Sequence, residues 1–229
     1  MSSLPRPVAE AVASAGRAPG RPAVPVGRIV ATALQILDEG GADALSMRLL
    51  AQRLDSGTAT LYRHFGNRAK MITKVVDHVF GEVELDAEML AEMSWDQVCR
   101  SVAQRMFDVL SGHPKVASLL VEQMPMGPNA MMLRERCIAA LLNSDFPPHL
   151  AARSYATLAR YVLGFAIQLA GSTDQTDQAS APVLFQDLTP SQFPATLAVA
   201  DTLPVLLKDE FTFGLELIIS GLRQLRGDG

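Results

Sequence analysis

Between residues 48 and 70 the chain combines long hydrogen-bond donors with very small neighbours: Arg48, then Thr58, Ala59 and Thr60, then Tyr62, Arg63 and His64, then Arg68 and Lys70. Arg48 and Arg63 can pair bidentately with a guanine edge, Thr58 can bond a base or meet a thymine methyl, and Tyr62 can donate to a phosphate. Small residues first and long donors after them let a helix approach base edges closely and still reach the backbone. The chemistry of this set is recognition of double-stranded DNA, and Arg28 upstream adds a charge that can face a phosphate.

Such a set needs a helix–turn–helix to hold it. Ser46 can cap a first short helix, whose Leu49, Leu50 and Leu54 recur at helical spacing on a face that must be buried. Asp55-Ser56-Gly57 supplies a turn, with Gly57 free of any Cβ penalty. Thr58 then opens a second helix with Leu61 and Phe65 turned inward. Asn67 is placed to cap a third helix from Arg68 to Glu84, whose dipole and free amides favour a phosphate at its start. Because two helices cannot bury their own apolar faces, that third helix and an upstream one must close the core. The upstream helix spans Val26 to Glu39, carries Ile29, Val30, Ala33, Leu34 and Leu37 on one face, and ends at Gly40-Gly41.

The stretch Leu54-Asp55-Ser56-Gly57-Thr58-Ala59-Thr60-Leu61-Tyr62-Arg63-His64-Phe65-Gly66-Asn67-Arg68 resembles the helix-turn-helix signature of the TetR family of bacterial transcriptional regulators. The resemblance is specific over residues 26–80 and looser from Trp95 to Leu225. One turn position, usually aliphatic, is Ser56. The resemblance implies base contacts by Arg48, Thr58, Ala59, Tyr62 and Arg63 and phosphate contacts by His64 and Arg68. It further implies a homodimer on a palindromic operator, most often repressing.

Composition agrees with a small basic module on an acidic body. Residues 1–74 carry 10 Lys and Arg against 5 Asp and Glu, a net of +5, whereas residues 75–229 carry 10 against 19, a net of −9. At 48% hydrophobic and 6% aromatic, the 229 residues read as a globular protein rich in Ala and Leu, hence an all-α fold. The expected division is a disordered arm over 1–24, a three-helix DNA-binding domain over 25–74 and a larger helical effector-binding and dimerisation domain over 75–229. The arm is either an uninformative tail or a minor-groove hook through Arg21.

After an acidic connector with Asp86, Glu88 and Glu92, the periodicity predicts helices over 95–110, 128–142, 147–170, 196–203 and 209–225, with a short element at 116–124. The helices at 147–170 and 209–225 are apolar on more than one face, which suggests a second copy as partner, with Phe165 and Leu217 as interface residues. A polar loop of about 20 residues joins them. Met residues concentrate in the middle third of the chain and suit irregular apolar surfaces. Met106, Phe107, Met124, Met131, Tyr155, Tyr161, Phe165 and Gln168 are therefore candidates to bind a small, largely apolar effector, with Arg160 as a further polar anchor. The competing reading is that they fill a helical core.

Other classes lack support. No GxxxxGK[ST], GxGxxG, HExxH, CxxC or GxSxG pattern occurs, so no enzyme, cofactor or metal site is expected. Cys99 and Cys137 read as reduced core thiols. The first two dozen residues show no continuous apolar segment of the kind a signal peptide needs, and no apolar run approaches the roughly 20 residues of a membrane span, so a cytoplasmic protein is expected. The expected function is a ligand-responsive regulator released from DNA by its effector. The alternative is a DNA-binding regulator controlled by a protein partner through its body, with no small molecule.

Overall fold

The computed structural model describes residues 24–121, 125–171 and 188–227. The expected N-terminal arm, Met124 and most of the polar 171–192 stretch lie outside the described residues. Among those described there is no strand. Eleven α-helices follow in order: α1 Val26–Ala44, α2 Met47–Arg53, α3 Thr58–Phe65, α4 Arg68–Gly81, α5 Ala87–Glu92, α6 Trp95–Gly112, α7 Pro114–Ala117, α8 Pro128–Leu142, α9 Pro148–Gly171, α10 Pro194–Ala198 and α11 Leu207–Gly227.

The first four helices form as the apolar spacing requires. On α1, Ile29, Val30, Ala33, Leu34, Ile36 and Leu37 are buried, and the helix is broken at Gly41, whose φ of 74° suits glycine. Ser46 caps α2 by accepting from the Leu49 amide at 3.1 Å, and Asn67 caps α4 by accepting from the Lys70 amide at 2.8 Å. The turn between α2 and α3 works differently from expectation. Gly57 has an ordinary extended conformation, and the left-handed residue is Asp55 at φ 49°, one of the few side chains that tolerate that region. Ser56 donates its amide to the Ala51 carbonyl at 2.9 Å, and the α2–α3 contact is closed without an aliphatic residue there by Leu50, Leu54 and Leu61, none more than 3% exposed. Truncating a residue as enclosed as Leu61 to Ala would cost about 2–5 kcal/mol.

The connector after α4 is partly helical rather than irregular. Asp86 accepts from the Glu88 and Met89 amides and so nucleates α5. Beyond it, α6, α8 and α9 pack on one another, α4 lies against α6 and α8, and α11 lies against α9 and α6. Buried residues form one continuous core from Ile29 to Leu222, and α4 supplies its middle through Val75, Val76, Val79 and Phe80. The expected helix over 196–203 is instead the short α10 followed by a 3₁₀ turn at Ala200–Thr202.

α11 is fastened by stacking and charge. Phe211 stacks on Phe107 at 4.0 Å between ring centroids, and Tyr161 donates its hydroxyl to the Phe211 carbonyl at 2.8 Å. Arg100 pairs with Glu216 at 2.5 and 3.0 Å, and Arg223 pairs with Asp96. Cys99 and Cys137, distant in sequence, come together in the core between α6 and α8. Hydrogen bonding to Cys99, with burial, pushes the Cys137 thiol well above its usual range.

Candidate nucleic-acid interface and effector cleft

The recognition set is presented as its residue types require. Leu61 and Phe65 anchor α3 inward at 0% and 6% exposure. Thr58, Ala59, Tyr62, Arg63 and His64 are left exposed and Thr60 half-buried. No side chain caps α3; the Thr60 amide turns back to the Gly57 carbonyl at 3.0 Å, and the earlier amides point out at the end where the dipole is positive. The opposite end is closed by Gly66, whose φ of 76° lets its amide reach the Tyr62 carbonyl at 2.7 Å. This sharp stop brings the first turn of α4, with exposed Lys70, directly behind the last turn of α3.

Arg48 is exposed on the first turn of α2 and Arg28 on the first turn of α1. Arg68 has a structural duty that sequence reasoning missed. Its Nε donates to the Leu45 carbonyl at 2.8 Å and its Nη2 to the Ala42 carbonyl at 2.7 Å, tying the start of α4 to the turn before α2. Both Nη1 hydrogens and the second Nη2 hydrogen are left to meet a phosphate. Arg53, also basic and in the head, is committed to Glu39 through two hydrogen bonds at 2.9 and 2.5 Å. The cations left uncommitted in the head are largely those on the α2–α3–α4 surface.

A second site opens in the body. A cleft with about 100 Å³ of free volume lies between α4, α6, α8 and α9, walled by Phe80, Met106, Leu133, Tyr155, Ala159 and Leu163. Beneath it a small apolar chamber shares Met106, Tyr155 and Ala159 and reaches Cys99 and Cys137. Two arginines reach the cleft, Arg134 from α8 and Arg160 from α9, and the Arg134 guanidinium lies 5.5 Å from the centre of the Tyr155 ring.

The structure divides the expected effector residues. Met106 and Tyr155 line the cleft, as does Arg160. Phe107, Tyr161 and Phe165 instead form the aromatic cluster around Phe211, because their positions on α6 and α9 face α11. Met131 is 38% exposed on α8, and Gln168 is exposed farther along α9. Phe80, Leu133, Arg134, Ala159 and Leu163 also line the cleft and were missed in the sequence.

Several contacts join α1 and α4 to the body, among them Lys115 Nζ, which donates to the Glu39 carbonyl at 3.2 Å. Asp77 on α4 is 5% exposed, and its carboxylate accepts from the Asn129 and Ala130 amides at the start of α8. His113, in the turn between α6 and α7, meets Glu82 at 3.1 Å through Nε2 and faces Asp38 of α1 at 3.7 Å through Nδ1.

The pairing of this head with this body has known counterparts. Residues 29–75 match the family described as bacterial regulatory proteins, tetR family, and residues 90–226 match the tetracyclin repressor-like C-terminal domain. The chain belongs to the TetR family. It is 33% identical over 144 residues to an HTH-type transcriptional regulator of Saccharopolyspora erythraea, a match spanning 63% of this chain and 60% of that protein. It is 26% identical over 223 residues to the HTH-type transcriptional repressor DrrR1 of Streptomyces coeruleorubidus, across 92% of this chain and 82% of the relative. Among solved structures, apo ActR of Streptomyces coelicolor superposes with a TM-score of 0.79 at 31% identity, over 91% of this chain and 99% of that one. ActR in complex with actinorhodin gives 0.77 at 31% identity, over 89% and 99%. As a TetR-family protein the chain is a DNA-binding transcription regulator with an all-α fold.

Proposed function

We propose that this TetR-family regulator is a cytoplasmic, homodimeric repressor that a small, largely apolar molecule releases from a palindromic operator. In this reading residues 25–74 read DNA and residues 75–229 bind effector and partner. Arg48, Thr58, Ala59, Thr60, Tyr62 and Arg63 contact bases; Arg28, His64, Arg68 and Lys70 hold phosphates. Two copies place their α3 helices in successive major grooves about 34 Å apart. Phe213, Leu217 and Leu225, each more than half exposed on α11, support burial against a second copy. The repressor DrrR1 and the ActR–actinorhodin complex support the sense of regulation and the small-molecule response.

One observation carries the release step. The cleft takes a wall, Phe80, from the same helix whose start carries Arg68 and Lys70, and whose Asp77 holds the start of α8. A molecule that fits only when α4 and α8 shift apart favours a head placement different from the DNA-bound one. Equal affinity for both placements would shift nothing. The test is paired: a thermal-shift screen of apolar small molecules, followed by operator release with each hit. Hits that raise the melting temperature and dissociate DNA are expected; a ligand that fills the cleft and leaves DNA affinity unchanged contradicts the release step.

A further inference from the structure

The two arginines of the cleft are placed unlike the other described arginines that have polar partners. Arg53 is paired with Glu39, Arg100 with Glu216 and Arg223 with Asp96, and Arg68 is bound to two carbonyls. Arg134, although half-buried, directs its Nη1 only at thioether sulfurs, at 3.0 Å to Met131 and 3.7 Å to Met126. Thioethers are weak acceptors and leave most of the guanidinium donors unused. Among the described residues neither Arg134 nor Arg160 forms an ion pair, and no Asp, Glu or Lys lines the cleft. The Tyr155 ring under Arg134 fixes the direction of its fork without neutralising it. Everything else that faces the space is apolar or aromatic apart from the tyrosine hydroxyl.

We infer that the molecule this cleft takes is an aromatic-bodied anion, its rings against Phe80, Met106 and Tyr155 and its carboxylate, or a group of like charge and geometry, held by Arg134 with Arg160. This rests on the cleft being the effector site. A cation would meet two like charges there. A neutral molecule of the same shape would leave the half-buried Arg134 guanidinium without an anionic partner in a partly dry site, where a charge-assisted hydrogen bond is strongest. Arg134 sets selectivity because Tyr155 holds it; Arg160, more exposed, contributes less.

The test uses three probes of one shape on the full-length protein: anthracene-2-carboxylate, anthracene-2-carboxamide and 2-(aminomethyl)anthracene, followed by their own fluorescence and by competition between them. The carboxylate is expected to bind about tenfold or more tighter than the carboxamide, the ammonium weakest, with carboxylate displacing carboxamide. Arg134→Met is expected to bring carboxylate and carboxamide within about threefold of each other while carboxamide affinity holds, and Arg160→Met to narrow the gap in part. Arg134→Gln, which keeps a polar tip over Tyr155, stands in if the methionine variant fails to fold by circular dichroism. Equal binding of carboxylate and carboxamide by the unaltered protein overturns the anion assignment and leaves the cleft assignment standing. A carboxylate preference that survives Arg134→Met with Arg160→Met overturns it as well. Binding of none of the three overturns the cleft assignment and this one with it.

Discussion

Asp77 of α4 and Asn129 of α8 are joined three times over: the Asn129 amide donates to Asp77 Oδ1 at 2.9 Å, and its Nδ2 donates to the Asp77 carbonyl at 2.9 Å and to Oδ2 at 3.3 Å. Gly127 completes the fit, since a Cβ there would stand 2.2 Å from Asp77 Oδ1. A carboxylate on the connecting helix is thus the N-terminal cap of a cleft-lining helix. Asp77→Ala leaves those amides without a partner and is expected to cost about 1–2 kcal/mol by urea denaturation. Operator affinity should hold while effector-driven release weakens. Retention of full release would mean that α4 and α8 are coupled elsewhere.

On the DNA side, Arg63 and Lys70 are expected to fail differently. Arg63→Ala should lose about 1–3 kcal/mol of operator affinity together with discrimination at one base position, whereas Lys70→Ala should weaken all sequences alike and lower the salt slope by about one. Anisotropy at several salt concentrations separates the two. Arg68→Ala should reduce stability as well as binding, because its guanidinium holds the Leu45 and Ala42 carbonyls.

Much of this head was legible in the residues. Leu50, Leu54, Leu61 and Phe65 fixed which face of each short helix is buried, and Ser46 and Asn67 cap where their types suggest. What could not be read were contacts between residues far apart in sequence. Arg68 looks the same in sequence whether it meets a phosphate or a carbonyl. The cleft was half legible for the same reason: Met106 and Tyr155 belong to it, but Phe107, Tyr161 and Phe165 face α11, and helical phase alone does not say which of two neighbours an apolar face meets. Arg134 gave no signal at all, since a charged residue on a helix normally marks a solvated face.

The dimer expectation changes accordingly. Phe165 packs on Phe211 and Tyr161 within one subunit, so a charge there would damage the fold rather than report on association. Leu217→Glu and Phe213→Glu are the informative variants. Sedimentation should show monomers with native helicity; an intact dimer for both would remove this face of α11 from the interface.

α11 should loosen in acid. Hydrogen bonding from Arg100 holds Glu216 below the ordinary carboxylate range; at Asp96 burial acts upward but is outweighed by the hydrogen bonds from Ser94 and Arg223. Both carboxylates have lowered folded-state values, so their contribution is present at neutral pH and is lost as pH falls below the ordinary carboxylate range. With both pairs partly exposed, the effect is small, about 0.5–1 kcal/mol in all. Arg100→Met should flatten the acid limb of a stability-versus-pH curve; an unchanged limb would assign that pH dependence to other groups.

The most direct test of the central claim is selection of genomic DNA fragments by the purified protein, run beside Tyr62→Ala and Arg63→Ala variants. The expected result is a small set of fragments sharing a palindrome, with half-sites about one helical turn apart, lost or degraded for both variants. Enrichment no greater than for random fragments, or the same fragments recovered by both variants, would contradict the reading of α3 as the element that recognises DNA.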